Sequence, residues 1–186
     1  MTAVTSALPG LVVEEPVLFF SRGCARVVGE VRNEGKGAVA LIRVEAVFRN
    51  QRGEVAGWEY TYINHLNPGE RKPYCLFLPE EEAVERVEVA IASASPAREQ
   101  AVALVGRDLK VFRGQGGFLS IGGKVINTGA KAYDLVKVIL KFTGEEGEIV
   151  DMASHYLSDL GPGEERAFAC RWEEREGWTG IEVLFD

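Results

Sequence analysis

Displacing the chain by 94 positions lays residues 29–70 onto residues 123–164 without a gap. The identical pairs are Gly29/Gly123, Val31/Val125, Asn33/Asn127, Gly35/Gly129, Ala38/Ala132, Leu41/Leu135, Val44/Val138 and Phe48/Phe142. They continue with Gly53/Gly147, Glu54/Glu148, Tyr62/Tyr156, Leu66/Leu160, Pro68/Pro162, Gly69/Gly163 and Glu70/Glu164. The match resumes at Val87-Glu88-Val89 against Ile181-Glu182-Val183, and Leu11 through Phe19 resembles Leu104 through Phe112 at a displacement of 93. Self-similarity on this scale means that each copy must bury a core of its own or share one with its neighbour. The expectation is one duplicated unit, residues 1–94 and then 95–186, joined where small residues and Pro96 gather between Ser93 and Arg98.

Each copy is patterned as strands. Ile42, Val44, Ala46 and Phe48 alternate with Arg43, Glu45 and Arg49, and Val136, Val138, Leu140 and Phe142 repeat the pattern around Lys137 and Lys141. A period of two places one set of side chains on one face of a strand. The closing segments alternate likewise: Val87, Val89 and Ile91, then Ile181, Val183 and Phe185. Asn67-Pro68-Gly69-Glu70 and Gly161-Pro162-Gly163-Glu164 predict type II turns, with Pro setting the second position and Gly supplying positive φ at the third. Asn33-Glu34-Gly35 and Asn127-Thr128-Gly129 are expected to use positive φ as well, and Gly53 and Gly147 sit where a long strand reverses. A helical period is weak everywhere, with single turns expected at most at 80–86 and 96–104. The fold class that follows is all-β: two tandem immunoglobulin-like antiparallel β-sandwich domains related by internal duplication. A closed barrel is the structural alternative.

The order Gly29, Val31, Asn33, Gly35, Phe48, Gly53, Leu66, Pro68, Gly69, Glu70 and Tyr74, repeated from Gly123 to Phe168, resembles the FxLyD family. The resemblance covers about 55 residues of each copy and consists of turn and core positions. It implies a small β-sandwich of accessory or binding type, without a shared activity.

Charge narrows the function. Residues 1–93 hold 10 basic and 13 acidic side chains, and residues 94–186 hold 11 and 15, so both halves are acidic. Neither offers the Lys/Arg stripe of a phosphate-backbone binder, so nucleic acid is not an expected partner. No apolar run reaches membrane-spanning length. Glu14 and Glu15 interrupt the apolar stretch ahead of Cys24, and no Lys or Arg precedes it, so Val17–Phe20 reads as a strand rather than a signal segment. The sequence as given reads as cytoplasmic, or as extracellular where a signal segment is removed ahead of Met1.

Residues that could carry chemistry do not repeat. Cys24, Cys75 and Cys170 fall at unmatched positions and none forms a CxxC pair, so they read as buried small hydrophobes, with a Cys24–Cys75 bridge as the alternative. His65 and His155 are also unmatched and lie beside no recognisable nucleophile motif. Glu80-Glu81-Glu82, Glu145-Glu146 with Glu148, and Glu173-Glu174 with Glu176 lack the spacing of a calcium loop. Gly114, Gly116 and Gly117 suggest a hairpin rather than a phosphate cradle. No catalytic residue, metal site or cofactor is therefore expected. The remaining signal is aromatic. Trp58, Tyr60 and Tyr62 alternate and so share one strand face, where the second copy places Met152, Ser154 and Tyr156. A core position would stay apolar, so the exchange of Tyr60 for Ser154 points to exposure. Trp58, Tyr60, Tyr62 and Tyr156 are the candidate binding residues. The expected function is a non-catalytic interaction module with a protein partner; the first alternative is a glycan-binding module and the second a small hydrolase or metal enzyme.

Overall fold

The computed structural model describes residues 2–6, 10–79, 84–97 and 103–186. The chain divides into two compact units, Met1–Ala101 and Val102–Asp186. The first contains β1 (Thr2–Ser6), β2 (Leu11–Val13), β3 (Val17–Ser21), β4 (Cys24–Asn33), β5 (Val39–Asn50), β6 (Val55–Ile63), β7 (Arg71–Pro79) and β8 (Val84–Pro96). The second contains β9 (Leu104–Arg113), β10 (Phe118–Asn127), β11 (Tyr133–Thr143), β12 (Ile149–Leu160), β13 (Glu165–Glu173) and β14 (Gly180–Phe185). The first unit extends past the expected boundary at residue 94 because β8 keeps its partner: Pro96 lies opposite Val39 of β5. The helical turns expected at 80–86 and 96–104 are not found where the structure describes those segments. Val84–Arg86 opens β8, Pro96 closes it and Leu104 opens β9, while 80–83 and 98–102 lie outside the described residues.

Each unit is a sandwich of two sheets. In the first, one sheet runs β1-β8-β5-β6, and in the other β4 is flanked by β7 on one side and by β2 and β3 end to end on the other. In the second, the sheets run β12-β11-β14 and β13-β10-β9. The strand order β6-β5-β8 thus recurs as β12-β11-β14, with β1 added in the first unit as a parallel strand beside β8. All other pairings are antiparallel.

The alternation in the sequence becomes the core. Ile42, Val44, Ala46 and Phe48 on β5 and Val87 on β8 are fully buried against Val27 and Val31 of the facing sheet. In the second unit Val138, Leu140 and Phe142 of β11 meet Leu119, Ile121 and Val125 of β10. Contact between two inner faces is what lets each strand hide one row of side chains. Phe142 stacks on Trp172 with ring centroids 3.6 Å apart and planes 12° from parallel, and Trp178 stands edge-on to both. The Trp172 Nε1–H donates to Asp151 Oδ2 at 2.8 Å, which gives this buried indole its polar partner.

The Pro-Gly turns take their expected form. Gly69 and Gly163 have φ of 79° and 72°, and the amides of Glu70 and Glu164 each donate to the carbonyl three residues back at 3.1 Å. The Glu side chains close the same turns: Glu70 Oε2 accepts from the Asn67 amide and Glu164 Oε2 from the Gly161 amide, both at 2.8 Å. That bond from Gly161, followed by the contact with Arg166, holds the Glu164 carboxyl below the usual range.

The Asn-x-Gly pairs do something else. Asn33, Gly35, Asn127 and Gly129 are absent from the positive-φ residues, and both Asn side chains are fully buried. Asn33 Nδ2 donates to Leu66 O at 2.9 Å and to Gly37 O at 2.8 Å, while its Oδ1 accepts from the Gly35 amide at 2.9 Å. Asn127 repeats this with Leu160 O at 3.1 Å, Lys131 O at 2.7 Å and the Gly129 amide at 2.9 Å. The glycine leaves room for that oxygen: an added Cβ would stand 3.0 Å from Asn33 Oδ1 in one unit, and 3.0 Å from Ala103 Cβ and 3.3 Å from Asn127 Oδ1 in the other, tight enough that the neighbours would have to shift.

A second repeated pair is glycine beneath an aromatic ring. Gly29 lies opposite Tyr74, and a Cβ there would come within 2.3 Å of the phenol oxygen; Gly123 lies opposite Phe168, with a Cβ at 2.9 Å from the ring. Tyr74 is 2% exposed, and its hydroxyl has no hydrogen-bond partner among the described residues. Burial holds its phenol well above the ordinary range.

Two expectations follow. Asn33→Ala and Asn127→Ala each strip three hydrogen bonds from buried groups and should lower stability by about 2–4 kcal/mol in urea unfolding. Tyr74 sets a pH dependence: the folded phenol keeps its proton while the unfolded one loses it near about pH 10. The stability it carries is thus complete below about pH 10 and declines above it by up to about 1.4 kcal/mol per pH unit. Tyr74→Phe should change stability by less than about 1 kcal/mol near neutrality and flatten the alkaline decline, read by urea unfolding at about pH 8 and about pH 11.

Candidate functional site

The aromatic row stands on β6, the edge strand of the β1-β8-β5-β6 sheet. Trp58, Tyr60 and Tyr62 are 47%, 44% and 42% exposed, whereas Ile63, which ends the strand, is buried. Tyr60 sits 5.4 Å from Trp58, centroid to centroid, at 43°, and 5.7 Å from Tyr62 at 81°. The neighbouring strand supplies a cation. In the β5·β6 register Arg43 lies opposite Tyr62, and its guanidinium reaches back over Tyr60 at 4.4 Å and towards Trp58 at 5.5 Å. Its NH2 group pairs with Glu45 at 2.9 Å, which fixes the guanidinium on the ring faces. Rings and cation together form a surface that is polarised but largely apolar.

Tyr156 is on β12 of the second unit, opposite Lys137, and is 55% exposed. It has no ring neighbour like those of β6: Ser154 replaces Tyr60, and Met152, in the place of Trp58, is 5% exposed. Thus three of the four candidates form one continuous row, and the fourth stands in the other unit with a lysine across from it.

Arg43 is the member that the reading of the sequence did not include. The hairpin between β5 and β6 does not reveal it by counting. Gly53 takes φ of 79° and Asn50 and Glu54 pair across the turn, which by itself would set Arg43 opposite Thr61; the register shift between Phe48 and Arg49 moves it opposite Tyr62. Two smaller arginine–aromatic clusters were also missed. Phe19, Arg26 and Phe77 lie side by side on β3, β4 and β7, with the guanidinium 5.3 Å from the Phe19 ring and Phe77 59% exposed. In the second unit the Arg171 guanidinium lies 4.2 Å from the Phe118 ring.

The other reactive side chains are dispersed. Cys24 lies opposite Pro79 and Cys75 opposite Val28, so four residues of β4 separate their levels, about 13 Å along a strand. That excludes the Cys24–Cys75 bridge, which needs Cα atoms within about 7 Å, and all three cysteines are free thiols. Arg26 donates to Cys75 Sγ at 3.4 Å, and burial raises the Cys170 thiol above its ordinary range. His65 takes φ of 53° and its Nε2 meets Asn67 Oδ1 at 3.1 Å within its own turn; His155 lies on β12 in the other unit. The carboxylates of the acidic runs serve their own loops where described: Glu148 accepts from the Glu146 amide, and Glu174 from Arg113 and the Trp178 indole. Glu80-Glu81-Glu82 lies outside the described residues. Among the described residues no three His, Cys, Asp or Glu side chains group to hold a metal ion, and no helix is long and apolar enough to cross a membrane. Gly114, Gly116 and Gly117 form the β9–β10 hairpin, closed by the Gly114 amide donating to Phe118 O at 2.7 Å.

No protein-family model matches the chain, and no curated protein matches it. Among solved structures it is similar to the crystal structure of red sea bream transglutaminase, at 9% sequence identity and a TM-score of 0.31, over 96% of this chain and 29% of that one. The chain thus spans less than a third of the length of that structure.

Proposed function

We propose that the chain is a non-catalytic protein-interaction module that binds its partner through the outer face of β6 and β5: Trp58, Tyr60, Tyr62 and Arg43. The observation that carries this reading is the continuous exposed row of three rings with one arginine lying over them. Trp, Tyr and Arg are the residue types on which binding energy concentrates at protein interfaces. The rings offer a large apolar area with a polar tip and little conformational freedom to lose, and a guanidinium stacks on them while keeping donors free for a partner. Edge strands add a further means of attachment through their backbone. A glycan is the weaker reading, because sugar stacking favours rings in a common plane, and these are inclined at 43° and 81°. The FxLyD resemblance belongs to the same proposal, as an accessory sandwich whose family positions build the scaffold while the β6 row provides specificity.

The test is affinity capture from the source-cell lysate with the intact chain and with a Trp58→Ala/Tyr60→Ala/Tyr62→Ala variant whose far-UV circular dichroism matches. The triple variant is expected to retain about a tenth or less of the captured partner. Equal capture by both chains would contradict the β6 site, and heat on titration with a soluble polysaccharide would favour the glycan reading.

A further inference from the structure

The two units differ at one sheet edge. In the first, β8 is covered by β1, which runs parallel to it with Thr2 opposite Val87 and Ser6 opposite Ile91. In the second, β14 holds the place of β8 in register: Val87, Val89 and Ile91 face Phe48, Ala46 and Val44 on β5, and Ile181, Val183 and Phe185 face Phe142, Leu140 and Val138 on β11. Yet β14 ends its sheet, and among the described residues no strand pairs with its other side.

Backbone geometry shows what that side offers. The amides of Lys137 and Asp186 each donate to the other's carbonyl, at 2.8 and 2.9 Å. In an antiparallel pair such reciprocal bonds fall on every second residue. Asp186, Leu184 and Glu182 therefore turn their backbone groups to β11, and Ile181, Val183 and Phe185 turn theirs outward. Edges of this kind are usually blunted by proline, a bulge or several charges. Here the strand is Gly-Ile-Glu-Val-Leu-Phe, with one charge, no proline and an uninterrupted register against β11 from Gly180 to Phe185.

We propose that the β14 edge is a second binding site, which takes an extended, uncharged segment of a partner chain as an added parallel strand. The chemistry of the occupant is drawn from β1: a run of about five small and β-branched residues, Thr-Ala-Val-Thr-Ser, already covers the matching edge in the same chain. Such strand addition takes its affinity from main-chain hydrogen bonds and its preference from side chains at alternate positions. The site is separate from the β6 row and stands whether or not that row binds protein.

The experiment titrates the capped peptide Thr-Ala-Val-Thr-Ser-Ala into the intact, ¹⁵N-labelled chain. The expected result is shift changes and slowed exchange at the amides of Ile181, Val183 and Phe185, with Val87–Ile91 unmoved. A parallel partner donates through alternate amides, so methylating the peptide nitrogens of its first Ala and second Thr should weaken binding about tenfold or more. This control leaves the protein unchanged. No shift at β14, shifts confined to Val87–Ile91 through displacement of β1, or equal binding of the methylated peptide would each overturn the proposal.

Discussion

One buried side-chain amide holds three segments of each unit together. Asn33 ends β4, and from that point its Nδ2 reaches the carbonyl of Leu66 before the Pro-Gly turn and that of Gly37 before β5, while its Oδ1 anchors the Gly35 amide. The backbone joins in: the Asn33 amide donates to Glu70 O, and its carbonyl accepts from Gly69. Two loops that connect opposite sheets are thereby tied to one strand end through a side chain that is itself fully buried. A buried carbonyl left without a donor is costly, so the loops have one arrangement that satisfies them all. Asn127 repeats each bond in the second unit.

Around these fixed points the cores are filled by exchange of volume. Gly57 on β6 lies beneath Leu78, whose branch would be 2.4 Å from an added Cβ. At the matching positions the second unit has Asp151 and Trp172, with the carboxylate accepting from the indole. Glycine with a branched aliphatic and aspartate with a large indole are two ways of filling one gap, and close packing demands that both partners change together. The same holds more simply for Tyr74 and Phe168 over their glycines, where one phenol oxygen is the whole difference. The exposed positions are free of that constraint, so Tyr60 and Ser154 diverge in size and polarity, whereas Trp58 stands in the open and Met152 at the matching position is buried.

Period-two alternation made the buried row of β5 legible residue by residue, and Pro68-Gly69 named its turn type. Asn33 and Gly35 were legible as a pair but misread. Local chemistry suggests positive φ, whereas the decisive partner, Leu66 O, is 33 residues distant. Long-range hydrogen bonds leave no periodic trace. The exposed face of β6 was foreseeable from the exchange of Tyr60 for Ser154; Arg43 was not, since its place over the rings depends on the register of a neighbouring strand. The open edge of β14 depends on the absence of a parallel partner among the described residues, a property of topology alone.

The central claim is that Asn33 and Asn127 pin their units from within. It is tested most directly by hydrogen exchange of their side-chain amides, followed by NMR in the intact chain. If the bonds are made as described, these NH2 groups open only when the unit opens, and they exchange as slowly as the buried backbone amides of Val31 and Val125. Rapid exchange of the side-chain amides, with Val31 and Val125 still protected, would show that the bonds are dispensable and contradict the account.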